Sequence, residues 1–161
     1  MNDWYRFETN VIAGSSGPEL GSWDYQAIRH SCFKGILSVN SGDGVRGAEL
    51  VAMGVNHCVI PMSANAPARP GDLEWCLANL PLAKQAIERL TSNGPMVVHC
   101  HSGKDRAGMV LAAYLIQFQG MTVEQAMERV LAVRSIAFTA PQYRPFAAEV
   151  LNAFKRTVTI S

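Results

Sequence analysis

Short apolar runs alternate with stretches of helical periodicity along most of the chain. The runs at residues 10–13, 35–40, 55–61 and 96–99 are bounded by glycine, proline or polar residues, a pattern that predicts buried strands. Apolar residues at helical spacing predict helices over residues 24–30, 47–53, 72–91, 106–119, 123–131 and 143–154. Because strands and helices alternate, we expect an α/β fold with a central, mostly parallel sheet of four to five strands and helices on both faces.

Several residues at the predicted helix ends carry local signals. Asp24 stands at the start of the first helix, as its cap or in its first turn. The longest helix keeps its apolar phase across Pro81, which favours one kinked helix over two separate ones. Gly120 is placed to end the following helix, and Thr122 with Gln125 forms a capping box for the next.

Composition narrows the class of protein. The chain has 161 residues, 48% of them hydrophobic and 17% charged, which predicts a single domain over residues 1–161. The net charge of +1 gives no basic excess for nucleic acid, and no apolar run is long enough to span a membrane. Residues 1–6 lack a targeting pattern, so we expect a cytoplasmic protein. The pattern carries no signal for an oligomeric state.

The chemistry concentrates where the strand at residues 96–99 meets the following helix. Cys100 ends the apolar run, Gly103 lies in a short loop, and Arg106 follows six positions after the cysteine. A loop that enters a helix presents backbone N–H groups and the positive end of the helix dipole, which stabilise an anion and a thiolate. Arg106 can bind two oxygens of a tetrahedral oxyanion. These features predict phosphoryl transfer through a phosphocysteine.

The stretch from His99 to Gly108 resembles the signature loop of the cysteine-dependent protein tyrosine phosphatases, in particular their compact dual-specificity branch. The resemblance implies that Cys100 is the nucleophile and that no metal or organic cofactor is needed. It also implies a phosphorylated protein or a small phosphorylated molecule as substrate. By the same resemblance, the residues that bind the phosphate are His101, Ser102, Gly103, Lys104, Asp105 and Arg106.

The family protonates the leaving oxygen with an aspartate, and two residues here are candidates. Asp72 is the only aspartate in the upstream window where the family carries its general acid, but it also stands where a helix cap belongs. Asp105 lies inside the loop, as in a subset of bacterial phosphatases and the myotubularins. Its other interpretation is a carboxylate that pairs with Lys104 and shapes the loop. Asp43 fits a turn better than an acid.

Other positions modify this interpretation. His99 precedes the cysteine as it does in the family, where it helps to fix the loop. Ala107 departs from the family, which carries serine or threonine there to stabilise the departing thiolate. Gln142 resembles the water-positioning glutamine of larger phosphatases, although a surface role fits it better. Cys58 is expected on the strand next to the catalytic one, as a core thiol or as a disulfide partner of Cys100.

Three alternative functions stay open at this point. Lys104 in the loop resembles the inositol phosphate and phosphoinositide phosphatases, which need extra cations for their highly charged substrates. Ala107 and the undecided acid would also suit a weakly active, phosphate-binding pseudophosphatase. A sulfurtransferase of the rhodanese type also holds a reactive cysteine in a loop of amides. The spacing to Arg106 and the helices after the loop favour the phosphatase.

The remaining cysteines and histidines suggest no further chemistry. The four cysteines include no C-x-x-C pair, so the sequence predicts neither a zinc site nor a redox dithiol. In a chain of this size they are expected to be reduced thiols. His30 and His57 are expected to be ordinary residues at a helix end and a strand end.

Overall fold

The protein is an α/β domain built on one twisted sheet. The structure, a computed structural model, describes residues 4–8 and 10–160. Residues 1–3, which belong to the segment considered above for a targeting signal, lie outside the described residues. The strands are β1 (Tyr5–Glu8), β2 (Ile12–Ser15), β3 (Gly35–Ser38), β4 (Asn56–Val59) and β5 (Met96–His99).

The sheet is mostly parallel, as predicted, with β5 at its centre. The strand order is β1-β2-β5-β3-β4, and only the β1–β2 pair is antiparallel. Met96 to His99 pairs in register with β2 on one side and with β3 on the other. The carboxyl ends of these three strands therefore meet at one edge of the sheet, where the loop after β5 begins.

Seven helices connect and cover the strands in the part of the chain that is described. They are α1 (Pro18–Gly21), α2 (Tyr25–His30), α3 (Gly47–Ala52), α4 (Asp72–Thr91), α5 (Arg106–Gln119), α6 (Val123–Val133) and α7 (Tyr143–Ile160). One face of the sheet packs against α2 and α3, which bury Ile28 and Leu50 there. The other face packs against the helices from α4 onward, around the almost wholly buried α5. Both faces are covered, as the alternating pattern predicts.

Several local predictions are confirmed. Asp24 caps α2 by accepting hydrogen bonds from the N–H groups of the next turn. Helix α4 is continuous through Pro81. Gly120 ends α5 in the left-handed region with φ 66°, and Thr122 and Gln125 form both bonds of the capping box.

Two short elements were not predicted. The sequence pattern predicts one strand near the N-terminus, at residues 10–13, whereas the structure has β1 before β2 and the single-turn helix α1 after it. β1 has four residues, of which only Phe7 is buried, so it leaves no alternating apolar pattern in the sequence. Helix α1 buries no residue, and therefore has no apolar stripe to detect.

Candidate active site

The loop from Cys100 to Arg106, the CX5R loop, joins the central strand β5 to the buried helix α5. β5 directs the loop to the edge where β2 and β3 also end, and α5 begins at Arg106. A crevice outside the carboxyl ends of parallel strands is the usual ligand site of an α/β sheet. The fold therefore places the predicted anion-binding motif at the position best suited to a ligand.

The backbone carbonyl groups from His99 to Lys104 all accept hydrogen bonds, five of them from other parts of the chain and one from the His99 ring. In chain order, the donors are Val39 N–H at 2.9 Å, the His99 ring at 3.0 Å, Gly17 N–H at 2.9 Å, the Arg134 guanidinium at 2.8 Å, the Tyr5 hydroxyl at 2.8 Å and Phe138 N–H at 3.4 Å.

The N–H groups of the same peptides are left free for a ligand. In a trans peptide the C=O and the following N–H point in opposite directions, so the bonded carbonyls turn the N–H groups to the other side. Across the described residues, none of the N–H groups from His101 to Arg106 donates to a protein atom. With the N-terminus of α5 they form a cradle of donors that fits a tetrahedral oxyanion.

Close backbone contacts leave no room for side chains at two glycines. A Cβ on Gly103 would lie 2.5 Å from the backbone carbonyl of Ser15, and Gly103 has φ 68°. A Cβ on Gly17 would lie 2.7 Å from the Cys100 carbonyl oxygen. The end of β2 thus packs directly against the CX5R loop, and both positions require glycine.

The thiol and the guanidinium of the motif lie in different surroundings. Cys100 is buried, with 3% of its surface exposed, at the base of the loop. Arg106 is partly exposed at the start of α5. Among the described residues it makes no ion pair with a carboxylate, so its charge is not neutralised by the protein.

Asp72 is not a helix cap, which corrects the sequence interpretation. The N-cap position of α4 is Gly71, and Asp72 is the first helical residue. Its buried carboxylate accepts from the Arg69 N–H at 2.6 Å and from the Asn65 amide at 3.1 Å. The Arg69 hydrogen bond holds the pKa of Asp72 below its usual value, although burial opposes this. Asp72 therefore braces the loop before α4 as an anion.

Asp105 keeps one oxygen free. It occupies the N-cap position of α5 but makes no capping hydrogen bond. Its Oδ2 accepts from Lys104 Nζ at 2.7 Å, and this ion pair is largely buried. Its Oδ1 is also buried, and has no hydrogen-bond partner among the described residues. The carboxylate is therefore available for proton transfer on the side that the protein leaves unpaired.

His99 lies wholly buried below the loop. Its Nδ1 is 3.0 Å from the Cys100 carbonyl, and its Nε2 is 2.6 Å from the Ser38 hydroxyl. Burial lowers the pKa of His99 to about 4, so the ring is neutral at physiological pH.

Several residues that contact the loop or lie close to it were not predicted from the sequence, among them three with polar side chains. Tyr5 and Arg134 hold consecutive carbonyls, and the Arg134 guanidinium also lies 5.2 Å from the centre of the Tyr5 ring. Tyr143 lies buried with an unpaired hydroxyl, and burial raises its pKa well above the usual value. Only Arg134 offered a signal, since it has no acidic neighbour at helical spacing.

The structure also places the remaining sequence candidates. Cys58 is on β4, and β3 separates it from β5, so about 9 to 10 Å divides the two strands. That spacing exceeds the range for a disulfide with Cys100, and the Cys58 thiol instead accepts from Arg89 at 2.9 Å. Gln142 is exposed just before α7, and Asp43 lies in a turn. Ala107 is fully buried.

Two kinds of feature, a metal-binding cluster and a membrane-spanning helix, are absent from the described residues. No group of three or more His, Cys, Asp or Glu side chains is arranged to hold a metal ion within residues 4–8 and 10–160. No helix in the same ranges is long and apolar enough to cross a membrane.

The fold and the CX5R loop are those of the cysteine-dependent phosphatases. The family model "Dual specificity phosphatase, catalytic domain" matches residues 55–149. The chain therefore belongs to the dual specificity phosphatase family, as the motif predicts.

Two phosphatases and one solved structure are similar to this chain. Phosphatidylglycerophosphatase and protein-tyrosine phosphatase 1 of Mus musculus is 36% identical over 84 residues, which are 52% of this chain and 42% of the mouse protein. The Homo sapiens protein of that name is 27% identical over 98% of this chain and 76% of its own length. The crystal structure of PTPMT1 in complex with PI(5)P superposes with a TM-score of 0.77, covering 98% of this chain and 97% of that chain. At 22% sequence identity, this superposition shows that the two proteins share a fold and nothing more specific.

Removing the Tyr5 hydroxyl tests whether the loop depends on its outward hydrogen bonds. Tyr5→Phe leaves the Gly103 carbonyl without its donor, so we expect the free energy of unfolding to fall by about 1–3 kcal/mol and tungstate affinity to fall with it. Urea unfolding and calorimetric titration with tungstate measure both. Thr122→Ala, at the distant cap of α6, is the control, with a loss of about 1 kcal/mol and no change in tungstate affinity. Equal tungstate binding by Tyr5→Phe and wild type would contradict the role.

The buried, neutral His99 also predicts how stability depends on pH. The unfolded ring takes up a proton near pH 6.5 and the folded ring only near pH 4. The unfolded state therefore binds more protons between these values, and stability falls as the pH falls through that window, by about 3 kcal/mol in total. Urea unfolding across pH checks the slope, and NMR titration assigns it. A His99 ring that titrates near pH 6.5 in the folded protein would refute this prediction.

Proposed function

We propose that the chain hydrolyses phosphate monoesters through a phosphocysteine on Cys100. The observation that carries this proposal is the set of free N–H groups from His101 to Arg106, held inward by the bonded carbonyls on their other side. That arrangement can bind the equatorial oxygens of a phosphoryl group during its transfer between two axial atoms, the leaving oxygen and the Cys100 sulfur. Within it, Ser102, Gly103 and Lys104 contribute mainly backbone donors, and Arg106 contributes its unpaired charge.

The reaction then has two steps. The Cys100 thiolate attacks phosphorus, the S–P bond forms and the bond to the leaving oxygen breaks, while that oxygen takes a proton from the general acid. Water next attacks the phosphocysteine, the same carboxylate accepts the water's proton, and the P–S bond breaks to release inorganic phosphate. Neither step requires a metal or an organic cofactor.

Asp105 is the general acid of this proposal. Asp72 is committed to Arg69 and Asn65, and its lowered pKa keeps it ionised where a proton donor is required. Asp105 has a buried oxygen with no partner among the described residues, and it lies inside the loop that binds the phosphate. Lys104 holds its other oxygen and so fixes the direction of the carboxylate.

Residues 1–161 form one catalytic domain in this proposal. The family model matches only residues 55–149, but Tyr5 and Gly17 donate hydrogen bonds to carbonyl groups of the CX5R loop, and Val39 donates to the carbonyl of His99 before it. The segment before residue 55 therefore belongs to the same catalytic unit.

A substrate with one terminal phosphate fits the charges around the loop. Lys104, which resembles the extra cation of inositol phosphate enzymes, is paired with Asp105, and Arg134 is bound to the Ser102 carbonyl. Because Asp105 neutralises Lys104, this lysine offers less charge to a second and third phosphate. Phosphotyrosine, and with it phosphoserine or phosphothreonine, is the first candidate. The names of the mouse and human relatives favour a second, a phospholipid with a terminal phosphate on its headgroup such as phosphatidylglycerol phosphate.

Leaving-group dependence tests the mechanism. Cys100→Ser should abolish turnover of aryl phosphates. Asp105→Asn should lose roughly 100- to 10,000-fold in kcat/KM for phenyl phosphate and much less for a nitrophenyl ester, whose leaving group needs no proton. Asp72→Asn should leave the ratio between the two esters unchanged, even if it destabilises the fold.

Steady-state kinetics across pH on both esters gives the result. If Asp72→Asn rather than Asp105→Asn changes the ester ratio, the acid is misassigned. If the wild type binds tungstate but turns over neither ester, the chain is a phosphate-binding pseudophosphatase.

Comparing substrates tests the charge argument. A phosphotyrosine peptide and short-chain phosphatidylglycerol phosphate should each be hydrolysed with a higher kcat/KM than an inositol lipid that carries three ring phosphates, since the charge of Lys104 is already paired with Asp105. Release of inorganic phosphate measures all three. The better of the first two decides between the candidates, and preference for the multiply phosphorylated lipid would overturn the proposal of a single phosphate.

A further inference from the structure

Three polar side chains form a hydrogen-bonded chain across the sheet behind the CX5R loop. His57 on β4, Ser38 on β3 and His99 on β5 lie on the face covered by α2 and α3, as the register of the three strands requires. The Ser38 hydroxyl is 2.8 Å from His57 Nε2 and 2.6 Å from His99 Nε2. His99 Nδ1 then lies 3.0 Å from the Cys100 carbonyl. The chain runs from the edge strand to the first peptide of the loop.

The donors and acceptors in this chain allow one direction only. The Cys100 carbonyl can only accept, so the proton of the neutral His99 ring is on Nδ1. His99 Nε2 is then bare and accepts the single hydroxyl proton of Ser38. The Ser38 oxygen can only accept from the remaining neighbour, so His57 donates from Nε2. Protonation of His57 would add a proton at Nδ1 and leave this donor in place.

The surroundings hold the chain in this arrangement. Ser38 and His99 are fully buried, and the edge of the His99 ring packs against Trp23, with ring centres 4.7 Å apart. The indole N–H of Trp23 donates to the Ser16 carbonyl, so it does not compete for His99. His57 is half-buried on the edge strand, and burial lowers its pKa. Water does not reach the inner two members to replace a lost partner.

We infer that Ser38 and His57 are positioning residues of the active site, which they set by fixing the tautomer of His99. With its proton on Nδ1, His99 holds the Cys100 carbonyl outward and so turns the His101 N–H of the same peptide into the cradle. With its proton on Nε2, His99 would place an unprotonated Nδ1 against that carbonyl. The peptide between Cys100 and His101 would then lose this hydrogen bond. Ser38 opposes this state while His57 donates to its oxygen, because the single hydroxyl proton is then directed at His99 Nε2 and leaves no acceptor for an Nε2–H there.

This inference deepens the proposed function and rests on it only for the kinetic consequence. The two neutral tautomers of an imidazole differ little in free energy, so one hydrogen bond decides between them. Structure alone would be served equally by apolar residues, as at Ile36 and Leu37 beside Ser38 on the same strand. A hydroxyl between two rings transmits the direction set by the donor His57 to His99, which an apolar residue cannot do.

Nitrogen NMR of the full chain gives the direct test. The wild type should show His99 protonated on Nδ1 and His57 protonated on Nε2 at neutral pH. Ser38→Ala should move His99 into a mixture with the Nε2–H tautomer. It should also weaken tungstate binding and lower kcat/KM for a nitrophenyl phosphate by roughly three- to tenfold, the range for one buried neutral hydrogen bond.

Substitutions at His57 separate the chain from general packing. His57→Leu removes the donor and should reproduce part of the Ser38→Ala loss, whereas His57→Gln places an amide N–H at similar reach and should restore most of it. Thr122→Ala controls for destabilisation alone and should change neither the tautomer of His99 nor tungstate binding.

The outcomes distinguish the inference from the proposed function. A His99 ring that stays on Nδ1–H in Ser38→Ala, or equal tungstate affinity in Ser38→Ala and wild type, would overturn the inference. So would equal losses in His57→Leu and His57→Gln. Failure of the wild type to hydrolyse any ester would overturn the proposed function, while the tautomer and tungstate binding would still decide the role of Ser38.

Discussion

The site depends on one constraint, namely that consecutive peptide groups of the CX5R loop turn their carbonyls to the same side. Such an arrangement brings several N–H dipoles together, so a free loop would not adopt it without donors for every carbonyl. Here those donors come from three strand ends or turns, one buried ring and two long side chains. The cradle is therefore a property of the whole fold, although the motif that it presents is local.

The same constraint explains how charge is distributed around the loop. A buried charge without a partner is costly, so the protein commits most of its ionisable groups there to one another. Asp72 is bound by Arg69 and Asn65, and Lys104 is bound by Asp105. Among the charged groups of the loop itself, Arg106 makes no ion pair and one oxygen of Asp105 has no partner within the described residues. These are the groups that a phosphate ester would complete, one on its oxygens and the other on its leaving group.

The sequence predicted the structural features that depend on residues close to one another along the chain. Strands, helices and caps follow from periodicity and end signals, and Cys100, Gly103 and Arg106 form a motif because their spacing alone places them around one anion. Tyr5 and Ser38 escaped prediction because each reaches the site across the sheet, and a short strand records no such contact. Asp72 was misread for a related reason. Its position in sequence fits a cap, but its carboxylate turns back to the preceding loop.

The long-range contacts also change which part of the chain counts as catalytic. The family match begins at residue 55, yet Gly17, Ser38 and Val39 lie before it and contact the loop or its histidine. The smaller apolar cluster, which includes Trp23, Ile36 and Val97, contains no residue of the phosphate cradle. Its packing holds these elements in place. The cluster packs against the face of the sheet that carries Ser38 and His99, and His99 lies 3.0 Å from the Cys100 carbonyl. In this fold the layer that contains only His99 of the motif therefore helps to hold the first peptide of the loop.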